Sequence, residues 1–437
     1  MVFSVMPIAG MITAQATEIW QQPRGTIITY GSYPQTRVTD SLTITSLVAW
    51  SSSVMWKSYG YYTGSGSWSD GQMKPSDYMK YKDFEGLDGN KYRAVTFTQY
   101  RPYCTGYTSS AGNSCQDENG YTPNNVYYFK YEPLRWRILD PSEGLVMCES
   151  IIDSQAYNNY ILYANGEYYG DSAKTYYASN WAKSSLRSWL NDDFYNTAFS
   201  SSEKNAIKTS YLENKSTYSS VYDAPSTYDK VFLLSYWDAI NSNYGFSSSY
   251  SSDDTARRAQ GTDYAKCQGL GVSTSSSYYG NSFWRLRSPF SSCRTGNVDD
   301  LGSVRSYYYY TYYTYNGVRP ALKFNPKSSI PGVTGVSIGD VSLNYKATTT
   351  ITPKITADEG ASYTVTYTSS NPSVATVDNN GKVTSVKQSG LNRGSTVITC
   401  TVTDSYGNTV SDTCTVTVNF TWWQWIIKIV LFGWIWY

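Results

Sequence analysis

The side chains in this chain best suited to chemistry are tyrosines, and the chemistry they suit is recognition. Between Phe290 and Gly317 runs SSCRTGNVDDLGSVRSYYYYTYYTYN, with seven tyrosines from Tyr307 to Tyr315. Tyr offers a large, rigid, amphipathic contact surface at little rotamer cost, while Ser, Gly and Asn add adaptable hydrogen bonding, as in antibody-type paratopes. The candidate ligand-contacting residues are Arg285, Phe290, Ser291, Ser292, Arg294, Asn297, Asp299, Asp300, Leu301, Ser303 and Arg305. With them go Tyr307, Tyr308, Tyr309, Tyr310, Tyr312, Tyr313 and Tyr315. A segment so composed is not expected to make a core, so it is predicted to be displayed; a solvated edge hairpin is the plainer reading.

The same segment lacks Lys, Glu, Gln, Met and Trp, all of which occur elsewhere in the chain. Every residue type present has a codon ending in a pyrimidine. Replacing the adenines of an Asn codon produces just such a set.

Other chemistries are narrowed by what is missing. The chain has no His, which removes His-based triads, general bases and metal ligands together. Its 35 basic and 34 acidic side chains leave a net charge of +1, which gives no electrostatic reason to expect nucleic acid. The acidic doublets Asp192-Asp193, Asp253-Asp254 and Asp299-Asp300 have the chemistry for Ca²⁺ or acid-base work, but such pairs are more often solvated turns. No catalytic residue, metal or cofactor is expected.

Seven Cys leave at least one thiol unpaired within the chain. Cys400 and Cys414 lie symmetrically about Gly407 in a predicted hairpin, which places them opposite one another as a disulfide. Cys104 and Cys115 bracket a Gly- and Ser-rich loop that a second bridge would close. Cys148, in the apolar run GLVMCES, reads as a small buried hydrophobe.

The flanks of the tyrosine segment are rigid-looking: Trp284, Leu286, Arg287, Ser288 and Pro289 before it, Gly317, Val318, Arg319, Pro320, Ala321 and Leu322 after it. These resemble the W-x-L-R-S-P and G-V-R-P-A-L motifs of a bacterial surface-domain family. That family is similar to the C-type-lectin-like, formylglycine-generating-enzyme-like variable proteins of diversity-generating retroelements. The resemblance spans roughly residues 31–327 and implies a fixed scaffold that displays a diversified patch, here residues 284–322. Arg285 departs from the family, whose members often carry a second Trp there. Formylglycine-type enzyme chemistry relies on a reactive Cys pair, for which only Cys267 and Cys293 are available.

The elements that must position the patch can be read in order. Tyr92 to Gln99 alternate as a strand, and FKYEPLRWRILD with LVMCESIID reads as a strand pair turning at Pro141 to Gly144. Leu186, Trp189, Leu190 and Phe194 recur on one helical face, where Trp189 reads as core. Ser200 with Glu203 forms a capping box, and VFLLS leads into a short helix. Gly296-x-Val298 and Gly302-x-Val304 predict a hairpin with both valines inward. Val318, Pro320, Leu322 and Phe324 alternate inward on a closing strand, and Arg287 and Arg319 are expected to brace carbonyls or a carboxylate beneath the patch. Strands and helices without regular alternation indicate an α+β domain.

Four segments follow from this reading. Residues 1–16 are a signal peptide ending at Ala14-Gln15-Ala16, residues 17–329 the lectin-like domain, and 420–437 a hydrophobic tail. Residues 330–419 contain TYTSSNPSVATVDNNGKVTSV, which resembles a bacterial Ig-like domain of group 2, an all-β sandwich implied to serve as a stalk. As a helix the tail spans about 27 Å with Trp at both ends, enough to anchor in a membrane. The expectation is an exported, surface-displayed binding protein for a protein or glycan ligand on another cell, phage or host surface. The alternatives are a formylglycine-type enzyme and an adhesin of fixed specificity.

Overall fold

The computed structural model describes residues 19–20, 22–64, 73–101, 115–326, 332–358, 360–386, 394–404 and 408–430. The signal peptide, Cys104 and the last seven residues of the tail lie outside them. The chain divides into two compact units, Met1–Asn325 and Pro326–Tyr437.

The first unit is built on two sheets. Nine strands form the larger, in which Val126–Asp140 is the central member and pairs with Ile27–Arg37, Lys91–Phe97 and Leu145–Cys148. The strand pair expected around Pro141 to Gly144 is present, with Ile138 opposite Val146. Lys91–Phe97 is a strand as its alternation indicates, yet Tyr92, Arg93, Ala94 and Val95 are all buried, so both faces are covered. Arg93 tolerates this because Asp83 accepts from its Nε and a second nitrogen at 2.7 Å each. A buried guanidinium is tolerable when paired and fully hydrogen-bonded.

The smaller sheet runs Val304–Tyr310, Arg294–Val298, Trp284–Ser291, Gly317–Val318 and Asp153–Ser154. Two chain segments cross between the sheets: Leu145–Ser154 and Gly317–Phe324 each give one strand to both. Arg319 sits at this crossing, fully buried, donating to the carbonyls of Cys148 (2.8 Å) and Arg257 (3.1 Å). The indole nitrogen of Trp284 donates to the same Arg257 carbonyl at 2.9 Å. Arg287 reaches both the Leu233 carbonyl and Asp238, at 2.9 and 2.8 Å. The two motif arginines therefore brace the scaffold as their sequence contexts led us to expect.

Helices in this unit are short and capped. Ser200 and Glu203 form the expected capping box, and Ser235 with Asp238 forms a second one ahead of Tyr236–Ala239. Ser41–Trp50 is a helix not anticipated from its β-branched composition; the Asp40 carboxylate caps it by accepting from the Thr43 amide at 2.8 Å. From Ser185 the chain is α-helical to Trp189 and then widens into a π-helical turn, Leu190–Phe194. Leu186, Leu190 and Phe194 are buried as the periodicity requires, but Trp189 is only half-buried.

The second unit is all β. A four-stranded sheet contains Val341–Asn344, Thr409–Asn419, Gly394–Asp404 and Tyr363–Ser369, and a three-stranded sheet contains Thr348–Thr350, Lys382–Ser385 and Ala375–Val377. Between them Leu343, Ile351, Val383, Ile398, Val416 and Val418 form the core.

The expected Cys400–Cys414 disulfide is not formed: both are buried free thiols. The hairpin pairs Thr403 with Thr409, so Cys400 faces Asp412 and Cys414 faces Ile398. The ladder is thus displaced by two residues from one symmetric about Gly407, and the sulfurs sit diagonally rather than opposite. Cys115 is also a buried free thiol. Cys148 is buried and free, as its apolar context implied.

In the tail, Trp422–Val430 is helical, and Trp425 packs on Phe420 at the edge of this core, with ring centres 5.7 Å apart. Among the described residues no helix is long and apolar enough to cross a membrane.

Candidate ligand-binding surfaces

The hairpin that carries the tyrosines follows the valine pattern. Val298 pairs with Val304, both buried, and Asp299 closes the turn by accepting from the amides of Leu301 (3.1 Å) and Ser303 (2.8 Å). Its second oxygen accepts from Arg305 Nε at 2.8 Å. Gly302 is required here: its φ is +88°, and a Cβ would lie 2.2 Å from the Asp254 carbonyl oxygen. Both doublets at this end, Asp253-Asp254 and Asp299-Asp300, are turn elements, and no cluster suited to a metal occurs among the described residues.

The expectation that the segment is displayed as a whole is corrected by its burial. Arg285, Ser292, Asn297, Asp299, Ser303 and Tyr312 are buried, and Phe290, Ser291, Arg294, Asp300, Leu301, Arg305, Tyr309, Tyr310, Tyr313 and Tyr315 are half-buried. Tyr307 and Tyr308 lie on the strand Val304–Tyr310, with side chains outside the described set.

Arg285 explains how so polar a segment can have an interior. It is fully buried and donates to the carbonyls of Gln155 (3.2 Å), Tyr310 (3.2 Å) and Tyr313 (2.6 Å), tying the tyrosine loop to the segment beneath it. Burial pushes its pKa down to about 10. Backbone carbonyls do the same for the loop: Thr311 accepts from the amides of Tyr157 and Asn158, and Thr314 accepts from the Ser154 hydroxyl.

What remains at the surface is a continuous aromatic ribbon. Phe283 meets Tyr309 at 5.1 Å between ring centres, Tyr309 meets Tyr315 at 6.1 Å, and Tyr315 stacks on Tyr313 at 5.1 Å. Tyr313 in turn meets Tyr310 at 5.4 Å, whose hydroxyl accepts from Arg294 at 3.0 Å. Burial is the first cause of the raised Tyr309 phenol, at about 12. Phe290 stands apart, against Tyr218 at 5.0 Å. The structure thus brings four of the candidate tyrosines and Arg294 together, and assigns Arg285, Asn297 and Asp299 to the support.

A second feature of this unit brings the Asp192-Asp193 doublet and Trp189, which the sequence did not place together, to one cleft. A cleft of about 440 Å³ is lined by Tyr59, Tyr61, Tyr81, Trp189, Asp192 and Asp193, with Gln155 and Asn159 at its inner side. Arg93 lies beneath it, 4.4 Å from the Tyr81 ring centre, and donates to the hydroxyls of Tyr264 (3.0 Å) and Tyr131 (3.1 Å). The π-helical turn carries both aspartates to the rim, and such turns recur at functional sites. Partial desolvation at the exposed rim, then Asp192, raises the Asp193 carboxyl.

Behind the cleft Asp153 is fully buried, accepting from the Ser154 amide (2.7 Å) and the Tyr33 hydroxyl (3.3 Å). Burial pushes its pKa up to about 6. Its folded-state pKa lies above the unfolded value, so its contribution to stability is complete below pH 4 and is lost as pH rises through 6. A shift of this size corresponds to about 3 kcal/mol. Asp153→Asn is therefore expected to raise the melting temperature at pH 7.5 and to give no gain at pH 4. Equal effects at both pH values would show that the carboxylate is not strained by burial.

The two candidate thiols are not activated. Cys267 and Cys293 are buried, and burial raises both, Cys293 to about 11. A thiol held in that form is a poor nucleophile at neutral pH.

Residues 145–326 match a domain of unknown function, the DUF6273 family, and residues 333–419 match the bacterial Ig-like domain (group 2). The second unit is therefore an Ig-like domain, as its signature indicated. No curated protein matches the chain. Among solved structures, a SusE-like surface located polysaccharide binding protein from the Bacteroides thetaiotaomicron heparin utilisation locus is 16% identical. The likeness covers 29% of this chain and 22% of that one at a TM-score of 0.15, too low to carry an argument.

Proposed function

We propose that this chain is an exported, surface-displayed ligand-binding protein. Its first unit presents the tyrosine ribbon as a variable recognition surface on a lectin-like scaffold, and its Ig-like domain acts as a spacer. The observation that carries this is the division of labour within residues 284–322. Tyr309, Tyr310, Tyr313 and Tyr315 form a ring-to-ring surface, while Trp284, Arg285 and Arg319 of the same segment are fully buried. A rigid, hydrogen-bonded support lets surface side chains change without loss of the fold, which a diversified paratope requires. The partner is a protein or glycan on another surface, and no cofactor takes part.

The neighbouring DNA tests the variable part of the reading. We expect a near-copy of the segment encoding Trp284 to Leu322 that differs only where the copy has adenines, beside a reverse transcriptase gene; without them the specificity is fixed. Cell fractionation tests the display. The chain should be recovered with the envelope, and a cytoplasmic pool would overturn that half of the proposal.

A further inference from the structure

We propose that the cleft between Trp189 and Tyr59 is a second, fixed binding site, and that its ligand is a neutral saccharide. The site does not include the tyrosine ribbon and does not depend on its variation. The fold leaves polar groups at this cleft unused. Gln155 is only 5% exposed, lines the cleft, and its side-chain amide makes no hydrogen bond within the described residues. The amide keeps its contact with the cleft, where its donors and its acceptor are open to a partner from outside.

Three further cleft groups are open to a ligand: the Trp189 indole N–H, the Asn159 side-chain amide and the Asp193 carboxylate have no hydrogen-bond partner among the described residues. Together these four groups supply both donors and acceptors. Hydroxyls of a saccharide donate and accept, so they can satisfy both kinds. An organic cation would use only the carboxylates and the rings, leaving the indole and amide donors unmatched. Among the described residues the one cation at the site, Arg93, is committed to Asp83, Tyr131 and Tyr264, so those residues offer no free cation for an anion.

The walls fit the same ligand. Trp189 is backed by Phe194 at 5.5 Å, and Tyr59 by Tyr61 at 5.0 Å with nearly parallel rings. The negative face of an aromatic ring attracts the partly positive C–H face of a sugar ring. The Tyr59 and Tyr61 hydroxyls are pinned by Gln268, at 3.0 and 2.6 Å, so this wall is set before a ligand arrives. The volume lies in the range of about 300–1,000 Å³ typical of small-molecule sites, with room for one or two sugar units.

The test is calorimetric titration of the full chain with maltose, cellobiose, lactose and N-acetylglucosamine, with choline chloride as a cation control. At least one saccharide should bind, at least tenfold more weakly to Asp193→Asn and Trp189→Ala, and unchanged to Tyr313→Ser. Asp193 is exposed, so its variant folds, and circular dichroism verifies this. No saccharide binding, binding of choline alone, or a saccharide lost on Tyr313→Ser but retained by Asp193→Asn would each overturn the assignment. The last of these would leave the ribbon as the only binding surface, so the two readings fail separately.

Discussion

Raising the pH from 8 to 11 is expected to unfold the first unit cooperatively, with the buried tyrosines ionising as it opens rather than before. Tyr33, Tyr61, Tyr121, Tyr131, Tyr157 and Tyr264 are all buried, and burial is the leading cause holding each phenol above the ordinary value. Their folded-state pKa values are raised, so the stability they contribute is complete below pH 10 and lost as pH climbs past it. At pH 11 each phenol released by unfolding favours the unfolded chain by about 1.4 kcal/mol, or about 8 kcal/mol for the six. A loss of this size is comparable to the whole stability of many domains. Far-ultraviolet circular dichroism and phenolate absorbance at alkaline pH should change together in one sharp transition. A smooth phenolate titration with the backbone signal intact would mean that the tyrosine interior is open to solvent.

Trp284→Ala is expected to lower stability by about 3–5 kcal/mol, the usual cost of removing a fully buried aromatic side chain. It also frees the Arg257 carbonyl of one of its donors and removes the ring beneath Arg319, whose guanidinium lies 5.1 Å from its centre. Arg285→Ala should be of similar size for a different reason: the carbonyls of Gln155 and Tyr313 lose the Arg285 donor, each at about 1–3 kcal/mol, while that of Tyr310 keeps the Tyr313 amide. The controls are Arg294→Ala and Tyr313→Ser, two half-buried positions of the ribbon, where about 1 kcal/mol is expected. Thermal melts of the four variants separate support from surface. If Arg285→Ala melts with the controls, the arginine is a surface residue and the polar interior is not what holds the loop. If Tyr313→Ser unfolds the unit as badly as Trp284→Ala, the ribbon is core and cannot be the recognition surface.

The sequence by itself determined the features that depend on neighbours a few residues apart. The Ser200–Glu203 capping box, the strand pair around Pro141, the Val298–Val304 hairpin and the Ig-like signature are local patterns, and the backbone has few ways to satisfy them. Burial of the tyrosine segment was decided only by the tertiary structure. Composition marks such a stretch as polar, but Arg285 can be buried because carbonyls as far off in sequence as Gln155 converge on it. The thiol pair shows the same limit at short range: symmetry about Gly407 implied opposition, and a displacement of two residues in the ladder removed it. Trp189 lies on the expected helical face, yet the π-helical turn that follows, the loop residue Tyr59 and the strand bearing Tyr81 leave it at a cleft. That cleft draws on residues from Tyr33 to Thr197. Side chains so distant in sequence acquire a shared chemistry only when packing brings them together, because unused hydrogen-bonding capacity is a property of the assembled site and not of any one residue.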